Sequence, residues 1–256
     1  MVEVGAGQGE LTQQMANGKW LMTDGSQLIA VEKDRELAKN LSLKFKSMPR
    51  SELALLRGLK FKVINDDILK ILPQITRNLT PDAWKLIGNI PYYLTGFLFR
   101  VISELERKPS LIVFTIQKEV AERICAQPPK MNLLAASIQV WASPEIIGVI
   151  PPSDFEPPPK VTSAIIKLRV INCGTSQDQW SCDVQKLNNY YKIIKVIFKQ
   201  PRKTLLNNLA DGLNLPKKEV VEKLTQLNLT GRERGQDLSI GQLVQLTKVL
   251  INLISN

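Results

Sequence analysis

Short apolar runs alternate with segments of helical spacing over the first two thirds of the chain. The apolar runs have the length of buried strands and lie at residues 2–4, 28–31, 61–64, 84–87, 110–116 and 163–170. Between them, apolar residues recur every three or four positions, as in residues 36–58, 98–102 and 118–124, which is typical of helices packed on a sheet. The alternation predicts an α/β domain with a largely parallel sheet over residues 1–170.

The pattern changes after residue 170. Residues 171–183 are polar, contain Gly174 and predict a linker. Beyond the linker the apolar residues keep helical spacing, within residues 190–198, 205–209, 218–224 and 240–253. We therefore expect a small all-α domain, with its linker, over residues 171–256.

Composition narrows the class of protein. A chain of 256 residues with 44% hydrophobic content can bury a large core. No run of about 18 apolar residues could cross a bilayer, and the first residues do not have the features of a signal peptide, so the expected compartment is the cytoplasm. Three irregularly spaced cysteines predict neither a disulfide framework nor a zinc site. The lack of histidine excludes a histidine base or ligand, and no metal is expected.

The net charge of +10 indicates a polyanionic partner, because Lys and Arg release counterions from phosphates on binding. Half of this excess lies in residues 171–256, which hold 12 Lys and Arg against 7 Asp and Glu. Lys199, Arg202 and Lys203 form a basic segment there that could follow an RNA backbone. A solvated helix face is the alternative interpretation of this segment.

Residues 5–9, Gly-Ala-Gly-Gln-Gly, separate the first strand from a predicted helix. Glycines at such a turn let the backbone pass close to a ligand, and the helix start offers free N–H groups. The spacing differs from the G-x-G-x-x-G that fits a pyrophosphate. An acid at Glu3 would repel phosphate and suit a cationic or hydroxyl-bearing ligand, which favours S-adenosylmethionine near Glu3, Gly5 and Gly7. A turn that only connects strand and helix is the alternative.

Two acidic residues follow the second and third predicted strands. Glu32 ends the second strand, where an acid in a doubly wound sheet can accept both ribose hydroxyls of a ligand. Asp67 follows the third strand and can accept the amine of a cofactor adenine, with Ile68 packed against the ring. The alternatives are a helix-start role, which suits Asp34 better than Glu32, and an ordinary turn at Asp67.

Asn89, Ile90, Pro91 and Tyr92 follow the fourth strand, and we place the chemistry there. Pro91 has no backbone N–H, so the chain must leave the sheet with its carbonyls exposed. The Asn89 side-chain oxygen and a neighbouring carbonyl can accept the N–H groups of an amino-bearing ring such as adenine or cytosine, while Tyr92 stacks on it. The same residues, taken alone, also fit a strand that simply ends at a proline.

The proline-rich residues 151–161 precede the strand at 163–170. Their prolines predict a stiff extended loop without helix or sheet. Such a loop can hold Phe155 over the pocket as the second face of a clamp opposite Tyr92. A rigid connector with Phe155 tucked into the core is predicted equally well by the pattern.

Jointly these motifs resemble one family, the small-subunit ribosomal RNA adenine dimethyltransferases, which are sisters of the erythromycin-resistance methylases. The matching residues follow the family's order over nearly the whole chain, at 3–9, 32, 67, 89–92, 117–120, 155–163 and 202–205. The resemblance implies a Rossmann-like S-adenosylmethionine-dependent methyltransferase domain and a small helical RNA-binding domain. In the family's pattern S-adenosylmethionine is contacted at Gly5, Glu32, Asp67 and Asn89, and the target adenine at Asn89, Tyr92 and Phe155.

The implied function is dimethylation of the N6 amine of adenines in small-subunit ribosomal RNA, during ribosome biogenesis. We also expect the chain to be a monomer. Family members usually have an N-terminal segment with a Gln-Asn-Phe-Leu-like motif that closes over the cofactor, whereas this sequence starts directly at the first core strand. A non-catalytic RNA-binding assembly factor on the same fold is therefore the alternative. A methyltransferase for small molecules or proteins would leave the basic helical domain without a purpose. Tyr93 also departs from the family, in which Asn is frequent at that position.

Overall fold

The computed structural model describes residues 1–17, 27–47, 60–79, 83–171 and 183–251. In these ranges seven strands form one sheet in the order β3-β2-β1-β4-β5-β7-β6. The strands are β1 (Val2–Val4), β2 (Gln27–Glu32), β3 (Lys60–Asn65), β4 (Lys85–Asn89), β5 (Leu111–Gln117), β6 (Ala142–Ile150) and β7 (Ser163–Val170). Each strand predicted from an apolar run is present, with ends that differ by a few residues at most.

Strands β3, β2, β1, β4 and β5 run parallel, and β7 is antiparallel to β5. The prediction of a largely parallel sheet is therefore confirmed. The chain goes from β1 through β2 to β3 on one side, and then crosses to β4 on the other side of β1. Adjacent strands whose connections leave in opposite directions create a crevice at their carboxyl ends, which is where ligands bind in open α/β sheets.

The helices of the described ranges are α1 (Glu10–Asn17), α2 (Arg35–Lys46), α3 (Ile68–Thr76), α4 (Thr95–Glu104), α5 (Lys118–Ile124), α6 (Leu133–Gln139), α7 (Val184–Ile197), α8 (Leu205–Leu213), α9 (Lys217–Thr225) and α10 (Ile240–Leu250). None of these helices is long and apolar enough to cross a membrane. Much of the predicted linker, and residues 48–58 of the helical segment predicted over residues 36–58, lie outside the described residues.

Helix α2 shows how apolar spacing fixes a helix on the sheet. Its buried residues, Ala38, Leu41 and Phe45, recur at intervals of three and four along one face. The ring of Phe45 stacks on that of Phe61 in β3, with centroids 4.0 Å apart. The Asp34 side chain caps the helix by accepting the N–H of Leu37, so the expected helix-start role of Asp34 is confirmed.

The chain divides into two compact units, one with Met1–Lys118 and Glu145–Val170 and the other with Glu119–Pro144 and Ile171–Asn256. The boundary predicted at residue 170 coincides with the end of the first unit. The prediction placed residues 119–144 with the sheet, whereas the structure groups them with the C-terminal helices. Tyr190 and Tyr191 of α7 explain this grouping, because their hydroxyls donate to the carbonyls of Ala136 and Ser137 at 3.0 and 3.2 Å. Separate roles for the two units remain a prediction.

Candidate active site

Gly5 and Asn89 meet at the carboxyl ends of β1 and β4, where the connections diverge. Gly5 has a φ of 65°, in the left-handed region that favours glycine. A Cβ on Gly5 would lie 4.0 Å from the carbonyl oxygen of Asn89. Gly88 directly precedes Asn89 in β4. A Cβ on Gly88 would lie 2.6 Å from the carbonyl oxygen of Val4, so only glycine lets β4 approach β1 this closely. Two glycines therefore bring the glycine-rich turn and Asn89 to one place.

Glu32 joins the glycine-rich turn to the end of β2. Its two carboxylate oxygens accept the N–H groups of Gly7 and Asp34, each at 2.8 Å. The residue is 9% exposed. A carboxylate has about four acceptor positions, so two remain after these bonds are made. Glu32 can therefore fix the shape of the turn and still accept hydroxyl groups from a ligand.

Asp67 caps α3 and forms an ion pair that the sequence did not predict. Its Oδ1 accepts the N–H of Leu69 at 3.0 Å, and its Oδ2 lies 3.0 Å from the ammonium of Lys33. The hydrogen bond from Lys33 is the main reason why the pKa of the Asp67 carboxyl is below its ordinary value. Asp67 therefore keeps its negative charge at the end of β3. Ile68, predicted to pack on a cofactor ring, is only 6% exposed and lies largely in the core.

Glu3 is a buried acid of β1 whose side chain is hydrogen-bonded to Thr12 of α1. It is 1% exposed, and its Oε2 accepts the hydroxyl of Thr12 at 2.5 Å. Burial raises the pKa of this carboxyl to about 7, against the opposing effect of the Thr12 hydrogen bond. The carboxyl group thus ties β1 to α1 across the glycine-rich turn. The direct cofactor contact predicted for Glu3 remains a prediction.

The turn after β4 presents Asn89 and holds Tyr92. Asn89 is exposed, while Ile90 is buried and donates its N–H to the Thr115 carbonyl at 3.0 Å. Pro91 then starts a single 3-10 turn, Tyr92–Leu94. The Leu94 N–H donates to the Pro91 carbonyl at 2.8 Å, so this carbonyl, predicted to be free, already has one partner. Its second lone pair is still available to a ligand.

Tyr92 is anchored by a residue to which the sequence gave no separate role. The Tyr92 hydroxyl lies 2.9 Å from the Oγ of Ser163, the first residue of β7. Ser163 has no solvent exposure and pairs with Gln117 of β5 in the sheet register. It belongs to the 155–163 motif, but nothing in the sequence indicates which aromatic residue it would contact.

Phe155 is half-buried at the end of a 3-10 turn, Pro152–Asp154. The prediction of an extended loop without any helix was therefore wrong at these residues. The reason is that proline is compatible with the first turn of a helix, where its fixed φ is suitable and its missing N–H is not needed. Half-burial fits neither a fully packed core residue nor a free ring, and the clamp with Tyr92 remains a prediction.

In the second unit, the basic segment is a turn between α7 and α8, not a helix face. Lys199 and Arg202 are exposed, whereas Lys203 forms an ion pair with Asp211 at 2.9 Å. The buried amide of Asn208 donates to three carbonyls of this turn and its flank, at Ile197, Gln200 and Lys203. Asn208 therefore fixes the backbone from which the cations project.

The family model described as "Ribosomal RNA adenine dimethylase" matches residues 1–252. This chain belongs to the ribosomal RNA adenine dimethylase family. The "Ribosomal RNA small subunit methyltransferase A" of Dehalococcoides mccartyi is 36% identical over 241 residues, which cover 94% of this chain and 75% of the relative. The protein of the same name from Caldanaerobacter subterraneus subsp. tengcongensis is 31% identical over 258 residues, covering 99% of this chain and 87% of the relative.

Two solved structures share the fold of this dimethylase. A dimethyladenosine transferase from Plasmodium falciparum gives a TM-score of 0.76 at 19% identity, covering 98% of this chain and 90% of its own. The 23S rRNA methyltransferase ErmE gives a TM-score of 0.64 at 21% identity, and the match covers 98% of this chain and 90% of the ErmE chain. The predicted Rossmann-like methyltransferase fold is therefore confirmed.

The predicted family and the predicted class of enzyme, an adenine dimethylase of ribosomal RNA, are also confirmed. The roles of individual residues remain predictions. In the part of the dimethylase that the structure describes, no three His, Cys, Asp or Glu side chains are grouped so that they could hold a metal ion.

Proposed function

We propose that the chain transfers methyl groups from S-adenosylmethionine to the N6 amine of adenines in small-subunit ribosomal RNA, and that residues 89–92 form the reaction site. The observation that carries the proposal is the position of Asn89. This exposed amide lies at the end of β4 beside the first glycine of the turn, at the point where the sheet connections diverge. A cofactor on the turn and an amine at Asn89 would then be neighbours.

The residues at the strand ends fit S-adenosylmethionine better than a phosphate-bearing cofactor. Glu32 and the ionised Asp67 lie at the ends of β2 and β3 and would repel a pyrophosphate. Glu32 has acceptor positions left for ribose hydroxyls, and Asp67 can accept an adenine amine. When bound, S-adenosylmethionine supplies a methyl group activated by a positively charged sulfur.

Asn89 and Pro91 would hold the target amine. The lone pair of an adenine amine is delocalised into the ring, so this amine is a poor nucleophile. The Asn89 side-chain oxygen and the remaining lone pair of the Pro91 carbonyl can accept the two N–H bonds and turn the nitrogen lone pair out of the ring plane. Alignment of this kind supplies effective molarities of about 10⁵ M or more. The alkylated amine is acidic and releases its proton to water, which agrees with a chain that lacks histidine.

Tyr92 and Phe155 would hold the base itself. An adenine must leave its stack to reach Asn89, at an unstacking cost of a few kcal/mol. Stacking on an aromatic ring returns about 1–3 kcal/mol per base. The hydrogen bond to Ser163 keeps the Tyr92 ring in one orientation, and Phe155 is the candidate for the opposite face.

Asn89→Ala tests the proposal directly. We expect single-turnover methylation of a small-subunit ribosomal RNA fragment, measured as dimethyladenine by mass spectrometry, to fall at least about 100-fold because the amine loses its alignment. RNA affinity should persist. Gln74→Ala is the matched control, since it removes an exposed amide from α3.

Cofactor binding is measured separately by calorimetry. Glu32→Gln should weaken S-adenosylmethionine binding and leave RNA affinity unchanged.

Unchanged methylation by Asn89→Ala would refute the proposed site. RNA binding by the wild-type chain without measurable S-adenosylmethionine binding would instead favour a non-catalytic assembly factor.

A further inference from the structure

We propose that Tyr93 and Phe97 form a stacking surface for an unpaired base next to the target adenine. The inference rests on the proposed function and extends it, because it assigns a second nucleotide subsite to the lip of the same pocket. It concerns two rings that take no part in holding the target amine.

The exposure of these two rings is unusual. Tyr93 is 76% exposed and Phe97 is 64% exposed, the highest values among the large hydrophobic side chains of the described ranges. Aromatic residues normally bury most of their surface, because a ring carries 150–250 Å² of area that gains free energy on leaving water. Two such rings left in water four positions apart in the sequence indicate a binding surface.

Helical geometry places both rings on one face. The 3-10 turn Tyr92–Leu94 runs directly into α4, and the Thr95 N–H donates back to the Tyr92 carbonyl. On an α-helix, residues four positions apart are neighbours, with Cβ atoms about 5–6 Å apart, and Tyr93 stands four positions before Phe97 in the turn that leads into α4. On the other face of the run, Thr95, Leu98 and Phe99 are buried.

The surface at Gly96, which lies between Tyr93 and Phe97 in the sequence, is open. A Cβ built on Gly96 would have no heavy atom within 4 Å. Gly96 therefore presents no side chain that would keep a base away from this part of the surface.

The proposed stacking surface, Tyr93 and Phe97, lies next in sequence to the proposed adenine site. Tyr93 follows Tyr92 directly, and Tyr92 is fixed by Ser163. Tyr92 is half-buried while Tyr93 is exposed, so Tyr93 is the more accessible of the two consecutive rings. An RNA strand that delivers one base to Tyr92 must carry its neighbouring base past this lip.

The charges beside the rings favour a nucleic acid as the occupant. The side chain of Lys33 is 74% exposed, and its ammonium lies 3.0 Å from Asp67 Oδ2. The hydrogen bond to Asp67 is the main reason why the pKa of Lys33 is above its ordinary value, and Tyr93 makes a smaller contribution in the same direction. Arg100 lies three residues beyond Phe97 on α4 and is also exposed, with Glu104 as an ion-pair partner at 3.2 Å. Exposed aromatic rings flanked by cations are the composition of sites for single-stranded nucleic acid, in which rings stack on bases and cations neutralise phosphates.

The test uses an RNA fragment that contains the target adenine, with 2-aminopurine placed in turn at each neighbouring position. Stacking quenches the fluorescence of this base. We expect quenching at a neighbouring position by the wild-type chain, loss of that quenching in Tyr93→Leu and Phe97→Leu, and retention in Tyr93→Phe and Phe97→Tyr. Leucine keeps an apolar side chain without a ring, so the comparison isolates stacking. We expect kcat/KM for the RNA to fall about 5-fold or more per Leu substitution.

Ile147→Ala and Val149→Ala remove exposed apolar side chains from β6 and serve as controls that should behave as wild type. Circular dichroism and thermal melting check that all variants fold. Wild-type kcat/KM and quenching in both Leu variants would overturn the inference. So would a loss confined to S-adenosylmethionine affinity, since this would assign the rings to the cofactor side. If wild type methylates the RNA and Asn89→Ala does not, either result refutes the stacking surface alone and leaves the proposed function standing.

Discussion

The phenolic oxygen of Tyr92 lies 2.9 Å from the hydroxyl oxygen of Ser163, across 71 positions of sequence. Ser163 is fully buried, and the backbone next to it is fixed by the bond from the Lys118 N–H to the Thr162 carbonyl at 3.0 Å. The hydrogen bond therefore fixes the Tyr92 ring to a rigid part of the sheet. A ring that must stack on a base in one orientation gains from such an anchor.

We expect Tyr92→Phe and Ser163→Ala to lower kcat/KM by similar amounts, because each removes the same hydrogen bond while the ring stays. The net contribution of one hydrogen bond is about 0.5–1.5 kcal/mol, which corresponds to a decrease in kcat/KM of roughly 2- to 12-fold. The double variant should be little worse than either single variant, and a double-mutant cycle of methylation rates measures this coupling. Fully additive losses would show that the two hydroxyls act independently. Tyr92→Ala, which also removes the ring, should lose considerably more.

Glu3 should make the stability of the sheet unit depend on pH. Burial raises the folded pKa of its carboxyl to about 7, above the ordinary value of 4.5. The folded state then binds the proton more tightly than the unfolded state, so the free energy of unfolding should decrease as the pH rises from about 4.5 to about 7. The stabilisation from the bound proton is complete below this range and absent above it.

Glu3→Gln isolates this contribution, because a neutral amide can still accept the Thr12 hydroxyl. The variant should be more stable than wild type at pH 8, by up to about 3 kcal/mol at 1.4 kcal/mol per pKa unit. The two proteins should converge near pH 4. Denaturant melts across this range provide the measurement, and a difference that does not vary with pH would contradict the prediction.

The basic turn should affect RNA affinity without affecting chemistry. We expect Lys199→Ala and Arg202→Ala each to weaken RNA binding and to reduce the slope of log affinity against log salt by about 0.7–0.9 for each phosphate left without its cation. Lys203→Ala should have a smaller effect, since its ammonium is shared with Asp211. Binding titrations at several salt concentrations distinguish these cases. Lys39→Ala, on the exposed face of α2, is the control; an equal change there would indicate only a general charge effect.

The strand ends were predictable because local rules fix them. Apolar runs mark the strands, glycines and Pro91 mark the turns, and parallel strands bring Gly5, Glu32 and Asn89 to one edge. The partners that were not predicted, Lys33 at Asp67 and Ser163 at Tyr92, depend on approaches between distant segments that no local pattern encodes.

Two further features, the environment of Glu3 and the grouping of residues 119–144, depend on tertiary packing. The position of Glu3 beside a glycine motif indicates a ligand contact, whereas its burial and its hydrogen bond from Thr12 are tertiary features that the motif does not predict. Likewise the grouping of residues 119–144 with the C-terminal helices depends on tyrosine hydroxyls of α7, whose partners cannot be read from periodicity.

The two hydrogen bonds of Glu32 order two turns at the carboxyl ends of the strands before any ligand binds. Because its oxygens already accept the N–H groups of Gly7 and Asp34, a cofactor that bound at the proposed site would find both turns ordered. Conformational entropy of about 1–2 kcal/mol per fixed residue is lost during folding and not during association. Preorganisation of this kind converts part of the fold's stability into affinity. Changes that loosen either turn should therefore weaken binding well before the protein unfolds.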